Sequence, residues 1–436
     1  MASEDFTAER SATGSAETAQ RVIAASDFVV ASGYGVGGVV RTGASATESL
    51  ATDLSAADVH WMRRAILTAM EAEGRASPNP TVGAVIVKDG VLLSAGATEP
   101  FGGRHAERCA IENVTDRSVL RGATLYTTLE PCAHWGKQPP CADLVAACGF
   151  ARCVVGIRDP NPRVAGVGFA RVRAAGTEVV CGVLRNETIA WHLPYLVPRL
   201  LARPMISTFA LDTPGTIESR LLFGHSGWWD SAAVSRDYRA WLKHRCDLLV
   251  TEPSATSVDK AAFARGAWRG LVWWDVAGRL ADMTVTDARD LAARARALGA
   301  PLALVAAPGS DNAAQLDAVV GGGITHVIPQ SGLDPASWLA SSIRDGELAA
   351  VIGGMPNWVL VDEHPRLAAA LAAMDAIDVI HVLETRGGSG EVGNLCAWPA
   401  ETTGDAVRIA RIEAADATIG EYYTQGLSSA LRGTSW

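Results

Sequence analysis

From Ser55 onward, short apolar runs alternate with stretches of helical period, and this alternation constrains the fold more than any other feature. Ser55 and Asp58 form a capping-box-like start, with Asp where Glu or Gln is usual, before Trp61, Ala65, Ile66, Ala69 and Met70. Apolar runs at Thr81–Val87 and Val91–Ala95 flank Asp89-Gly90, a hairpin signal. A helix from about Ala106, a strand over Thr124–Leu129 and a helix from about Ala142 follow, then strands at Cys153–Ile157 and Glu178–Val183. Such alternation predicts a layered α/β domain.

Arg199–Pro204 reads as a linker. Beyond it, strand-like runs at Leu248–Val250, Leu302–Val305, Trp358–Val361 and Val379–Leu383 alternate with helical stretches such as Asp287–Leu298 and Pro365–Met374. That pattern predicts a second α/β domain, and no internal repeat of fixed period is present. Before Ser55 the chain is rich in Ala, Ser, Thr and Gly, and the apolar run Phe28–Val40 is broken by Gly33, Gly35, Gly37 and Gly38. It reads as a mostly flexible extension with room for one short strand. The expected organisation is an extension over 1–55, a first domain over 56–200 and a second over 201–436.

Composition limits the function classes. With 48% hydrophobic and 19% charged residues, the 436-residue chain is globular, and its length suits two or three domains. Forty-seven acidic against 38 basic residues leave a formal charge of -9, which argues against a nucleic-acid binder that must neutralise phosphates. No run of about 18 apolar residues suggests a membrane span. The first ten residues are acidic on balance, unlike a signal peptide, and eight cysteines are too sparse for a disulfide scaffold, so the expected compartment is the cytoplasm. The cysteines are unevenly placed: Cys109, Cys132, Cys141, Cys148 and Cys153 fall within fewer than fifty residues.

Three pieces of that stretch carry chemistry: His105-Ala106-Glu107, Pro131-Cys132 and Pro139-Pro140-Cys141. One imidazole and two thiolates supply three ligands and leave a fourth tetrahedral position for water, the composition of a catalytic zinc site. His105 and Cys141 each stand where a helix should begin, and a helix N-terminus lowers a thiol's pKa. Residues two apart within a helix point roughly 200° apart, so His105 and Glu107 share a site only if the zinc lies off the helix end. Zinc then lowers the pKa of its water toward ~7, Glu107 takes the proton, and hydroxide attacks an amino-bearing ring carbon. Glu107 returns protons to the ring nitrogen and to the leaving ammonia. This is the chemistry of the zinc deaminases, whose signature is H-x-E with P-C-x-x-C.

The spacing departs from that signature, because eight residues separate Cys132 from Cys141. They include His134, Trp135 and Lys137, groups suited to holding a polar substrate. At this point the sequence resembles the bifunctional pyrimidine deaminase/reductase family of riboflavin biosynthesis. The resemblance rests on Pro78-Asn79-Pro80-Thr81-Val82-Gly83, on His105-Ala106-Glu107 and on Thr128-Leu129-Glu130-Pro131-Cys132 through Cys141. Asp159-Pro160-Asn161-Pro162 and Gly166-Val167-Gly168 extend it, so that it covers residues 60 to 204. It implies a cytidine-deaminase-like three-layer α/β/α domain followed by a dihydrofolate-reductase-like α/β domain. It implies zinc on His105, Cys132 and Cys141, with Glu107 as proton shuttle. Asn79, His134, Lys137, Asp159 and Asn161 match positions that line the substrate pocket. The implied substrate is a pyrimidine nucleotide, 2,5-diamino-6-(5-phosphoribosylamino)pyrimidin-4(3H)-one, which loses its 2-amino group. The family also implies a homo-oligomer.

Taken singly, the pieces have plainer readings. Cys132 and Cys141 read as buried thiols, Asn79 between prolines as a turn residue, Asp159-Pro160-Asn161-Pro162 as a rigid turn, and Lys137 as a solvated loop charge. The order of the three chemical pieces favours zinc. Cys109, Cys148, Cys153, Cys181, Cys246 and Cys396 are left as core or bystander thiols.

The second domain departs from the family. The family's R-P-x-h-x-x-K start meets Arg203-Pro204, but its Lys is replaced near Phe209, and the expected Asp before Gly falls at Pro214. Where the family has V-G-x-G, Glu252 and Ser254 stand at glycine positions. Where it has V-E-G-G-P, the chain reads Val361-Asp362-Glu363-His364-Pro365. Glycine permits close backbone approach to a pyrophosphate, and acidic side chains there block and repel it. The late strand Asp378-Val379-Ile380-His381 still matches, so the sequence predicts a retained fold without an NADPH site. Two alternatives stay open: a fully bifunctional deaminase plus NADPH-dependent reductase, and a non-catalytic assembly protein with a structural zinc. The shuttle Glu107 weighs against the second.

Overall fold

A computed structural model describes residues 55–211, 233–253, 270–275, 279–297, 301–306, 313–321, 325–327, 335–345, 354–362, 367–368, 371–372, 374–384, 407–413, 418–434. The expected extension, Cys396, Pro214, Ser254, Glu363, His364 and Pro365 lie outside these residues.

Helix α1 (Ala56–Ala69) begins where the sequence places it, with the Ser55 hydroxyl accepting from Asp58 N–H at 3.0 Å. The Asp58 carboxylate binds Tyr126 Oη at 2.8 Å and both terminal nitrogens of Arg152 at 3.1 Å, which fastens α1 to the sheet beneath it. That sheet has five strands: β1 (Gly83–Lys88), β2 (Val91–Ala97), β3 (Thr124–Leu129), β4 (Arg152–Ile157) and β5 (Glu178–Cys181). Their order is β2-β1-β3-β4-β5; the β2-β1-β3 pairs are antiparallel and the β3-β4-β5 pairs parallel.

Successive residues of a strand face opposite ways. Val85 and Val87 pack with Met62 and Ala65 of α1 on one face. Ala84 and Ile86 pack on the other with helices α2 (Ala106–Glu112) and α3 (Cys141–Cys148), through Ala110, Ala142 and Val145. The first half is therefore a three-layer α/β/α unit. Helix α4 (Val167–Ala174) stands between β4 and β5, and helix α5 (Arg185–Leu201) follows β5.

The linker expected over Arg199–Pro204 is corrected here. Helix α5 continues to Leu201, with Pro194 and Pro198 inside it. Its residues Ile189, Leu193, Tyr195, Leu196 and Val197 are buried in the core shared by both halves, and this burial supports the helix despite its prolines. Only Ala202 and Arg203 remain as a joint, and Arg203 is fixed by a bidentate pair with fully buried Asp378 at 2.7 and 2.8 Å.

The second half is built on a nine-stranded sheet. Strands β6 (Met205–Leu211), β7 (Leu248–Thr251), β8 (Gly270–Asp275), β9 (Leu302–Ala306) and β10 (Thr325–Val327) join β11 (Trp358–Val361), β12 (Val379–Glu384), β13 (Val407–Glu413) and β14 (Thr418–Tyr423). The order is β10-β9-β8-β7-β11-β6-β12-β14-β13, parallel from β10 to β12 and antiparallel at β14 and β13. Near-continuous apolar strands such as Gly270–Asp275, buried throughout, are what a parallel sheet covered on both faces requires. Helix α6 (Ala233–Arg245) precedes β7, helix α7 (Val285–Arg296) lies close to the stretch expected over Asp287–Leu298, and helical turns at Leu367–Ala368 and Leu371–Ala372 fall within the one expected over Pro365–Met374. No helix of the described residues is long and apolar enough to cross a membrane.

Candidate metal centre and pocket

His105 is the N-cap of α2 with extended backbone, so it stands outside the helix while Glu107 occupies the first turn. This resolves the angular problem of an i, i+2 pair. Cys141 is the first residue of α3, after the N-cap Pro140. Cys132 lies just past β3, tied to the start of α3 twice: its carbonyl accepts from Ala142 N–H at 3.0 Å, and its Sγ accepts from Cys141 N–H at 3.3 Å.

The ligand atoms of His105, Cys132 and Cys141 lie within 4.8 Å of one another, the only such His/Cys/acid group among the described residues. His105 Nδ1 is 3.5 Å from Cys132 Sγ and 3.6 Å from Cys141 Sγ. A tetrahedral zinc with Zn–N near 2.0 Å and Zn–S near 2.3 Å places its N and S ligands about 3.5 Å apart. The donors therefore fit zinc in both chemistry and separation. Hydrogen bonding from the Cys141 side chain, with help from His105, holds the Cys132 thiol down to about 4, a thiolate. The same contact with Cys132, together with burial, holds Cys141 well above the usual thiol range. The contact with Cys132 also raises His105.

Glu107 is 4% exposed. Burial, reinforced by the Cys132 thiolate, pushes its carboxyl up to about 7. That value suits a group that must take and return a proton near neutrality.

A cavity of about 250 Å³ opens on these groups, and Asn79, His134, Lys137, Asp159 and Asn161 all line it. His134 Nδ1 is buried with no hydrogen-bond partner among the described residues. The Lys137 ammonium lies 3.8 Å above the Phe101 ring. The turn reading of Asp159-Pro-Asn-Pro also holds, since Asn161 N–H donates to Asp159 Oδ1 at 2.9 Å and Arg163 N–H to Asn161 Oδ1 at 3.1 Å. Trp135 does not line the cavity and is 76% exposed, so its part in substrate holding is withdrawn.

Sequence reasoning missed three contributors. Glu130, 2% exposed, accepts the N–H groups of Gly166 at 3.0 Å, Phe169 at 3.2 Å and Asp159 at 3.3 Å. It binds the segment after β4 to the residues before Cys132. Its signal was its place beside Pro131-Cys132. Tyr195 donates its hydroxyl to Asp159 at 3.0 and 3.2 Å, and the Arg199 guanidinium lies 3.5 Å over the Tyr195 ring. Both line the cavity, and neither was visible while Arg199 read as linker.

In the second half, Phe209 is buried and pairs in register with His381, with ring centroids 5.7 Å apart. Asp362 is buried and held by Arg239 at 2.8 Å and by Lys243. These cations depress its carboxyl against the upward pull of burial.

The family model for the cytidine and deoxycytidylate deaminase zinc-binding region matches residues 55–157. The riboflavin biosynthesis protein RibD of Actinobacillus pleuropneumoniae is 42% identical over 175 residues, 39% of this chain and 46% of that protein. RibD of Escherichia coli is 34% identical over 207 residues, 47% of this chain and 55% of that protein. The chain thus spans about half the length of the curated relatives it matches. A solved diaminohydroxyphosphoribosylaminopyrimidine deaminase/5-amino-6-(5-phosphoribosylamino)uracil reductase of Thermotoga maritima superposes over 84% of this chain and 99% of its own, with TM-score 0.59 and 25% identity. Acinetobacter baumannii RibD gives TM-score 0.58 at 21% identity, covering 85% of this chain and 99% of its own, a likeness of fold. Both halves of the expected architecture are therefore present: a cytidine-deaminase-like unit carrying a zinc-binding region and a reductase-like unit behind it.

Proposed function

We propose that the chain is a zinc-dependent hydrolytic deaminase of an aminopyrimidine nucleotide, acting on the C–N bond of a cyclic amidine. The observation that carries this is a buried carboxyl, Glu107, lining the same cavity as a His-Cys-Cys donor set spaced for zinc. The substrate we assign is 2,5-diamino-6-(5-phosphoribosylamino)pyrimidin-4(3H)-one, in riboflavin synthesis or a related azapteridine-like route. The similarity to the RibD proteins supports it.

His105, Cys132 and Cys141 would hold the ion. Zinc supplies Lewis acidity that makes water a nucleophile near neutral pH. Glu107 accepts the proton of the attacking water, passes it to the ring nitrogen, and delivers the second proton to the departing amine. One water is consumed, one C–N bond is exchanged for a C=O, and ammonia leaves. Asn79, Asp159 and Asn161 orient the ring and sugar, while His134 and Lys137 offer donors from the loop between the two cysteines. Tyr195 and Glu130 hold Asp159 in place.

The second half we read as a reductase fold without a working NADPH site. Phe209 stands where the family's Lys is expected, and Glu252 stands at a position where the family has glycine. The likeness to the Thermotoga protein supports the reductase-like fold and leaves the bifunctional alternative no better supported. We further read the enzyme as cytoplasmic and homo-oligomeric, by the same resemblance.

Product analysis tests this reading. The chain should release ammonia from the diaminopyrimidine nucleotide, and Glu107→Gln should keep zinc while losing about 10²–10⁴ of the rate. Added NADPH should leave the ribosyl group unreduced. Absence of ammonia from any aminopyrimidine nucleotide refutes the deaminase, and a ribityl product restores the bifunctional alternative.

A further inference from the structure

Between the two halves lies a smaller cavity of about 40 Å³, walled on one side by the loop Ser77–Thr81 and on the other by Arg245, Asp247, Asn357 and Trp358. Asn79 and Pro80 line this crevice and the large pocket alike, so the loop is a thin wall with one face on each. Three attachments fix it. At its approach, Glu73 is paired with Arg245 at 3.3 Å, both largely buried, and accepts from Trp241 Nε1 at 2.8 Å. The Arg245 guanidinium lies 4.4 Å from the Trp241 ring centroid and 4.6 Å from that of Trp191, a cation held between aromatic rings. Just before Asn79, the Pro78 carbonyl accepts from Asn357 Nδ2 at 3.0 Å. Just beyond it, the Thr81 carbonyl accepts from Trp191 Nε1 at 2.8 Å.

Two of the three attachments come from the second half, and both are anchored on rigid elements. Asn357 donates its own backbone N–H to buried Asp247 at 2.8 Å and immediately precedes β11, while Arg245 ends α6. A carbonyl held on either side of Asn79 restricts where that side chain can sit. We propose that the second half serves as a brace for the pocket wall, with Asn357 and Arg245 as positioning residues for Asn79. The proposal rests on the deaminase reading and gives the reductase-like fold a role in that reaction.

The test uses the full chain carrying Asn357→Asp, which keeps the shape and removes the donor, beside Asn357→Ala. One exposed hydrogen bond is lost, so fold stability and zinc content should hold. Hydrogen exchange over residues 77–82 should quicken about fivefold, with the remainder of the first half unchanged, as expected for the loss of one net hydrogen bond. The KM for the diaminopyrimidine nucleotide should rise about fivefold with kcat within twofold, the sign of lost ground-state positioning rather than lost chemistry. Arg245→Met should act in the same direction and Arg245→Lys, which keeps the pair with Glu73, should recover part of it. Wild-type exchange over residues 77–82 in both Asn357 variants overturns the brace. So does faster exchange with unchanged KM. If the wild-type chain releases no ammonia, the functional reading fails instead, and the exchange measurement still decides whether the brace exists.

Discussion

Gly168 is the position from which the metal centre can be disturbed without touching a ligand. A Cβ built on Gly168 would sit 2.2 Å from the Pro131 carbonyl oxygen, 3.0 Å from Glu130 Oε1 and 3.1 Å from Glu130 Cγ. The first contact is backbone and cannot swing aside, so Gly168→Ala must drive the Pro131 carbonyl away by about 1 Å to reach ordinary contact distance. Cys132 follows Pro131 directly, and zinc sites tolerate about 0.2 Å of ligand displacement. Overpacking of this size costs about 1–3 kcal/mol, and disturbance of a support behind a metal ligand lowers affinity about 10–100-fold. The expected outcome is a zinc Kd raised by that factor, measured by competition with a chromophoric chelator. A thermal midpoint some 2–4 °C lower per kcal/mol should accompany it. Gly136→Ala is the control, because its Cβ would meet nothing within 4 Å although it lies in the loop between the cysteines. A Gly168→Ala protein with wild-type zinc affinity and midpoint would refute the argument that this backbone contact sets the Cys132 position.

Two further predictions follow from buried groups. Burial, aided by the charge of Arg245, holds His192 down to about 3, below its ordinary 6.5. Its neutral form costs nothing above pH 6.5, but as pH falls the unfolded chain gains a proton the folded one refuses. Between pH 7 and 5 this should cost about 2 kcal/mol. Denaturant titrations of wild type and His192→Gln should diverge by that amount, and parallel pH curves count against it. Tyr195→Phe removes the hydroxyl that donates to buried Asp159, which should cost about 1–3 kcal/mol of stability and raise KM more than it lowers kcat; unchanged KM and midpoint would show that Tyr195 only fills space.

The chemistry of the first half was legible because it depends on near neighbours in sequence. His105 and Glu107 are two residues apart and Cys132 and Cys141 sit at the ends of one loop, so the order of these pieces, with the family resemblance, pointed to the donor set. Strand and helix positions there followed from periodicity and turn residues, as at Asp89-Gly90 between β1 and β2. What stayed hidden depends on contacts across the fold. Arg199 read as linker because a helix carrying Pro194 and Pro198 is held by tertiary burial rather than propensity. Glu130 looked like part of a motif, yet its work is to collect N–H groups from residues 29 to 39 positions later. Trp135 suggested a substrate contact by composition and proved to face solvent. The crevice between the halves had no sequence signature, since Glu73, Asn357 and Arg245 meet only after both sheets have formed.

The eight residues between Cys132 and Cys141 are closed at their base by the bond from Ala142 N–H to the Cys132 carbonyl and by the one from Cys141 N–H to its sulfur. The distance between the two sulfur ligands is thereby set by the stem, not by the arc that joins it. The arc beyond that stem brings His134 and Lys137 to the lining of the pocket. One part of the pocket wall therefore hangs from the same stem that spaces the sulfurs, while Asn79, Asp159 and Asn161 reach the cavity from elsewhere in the fold.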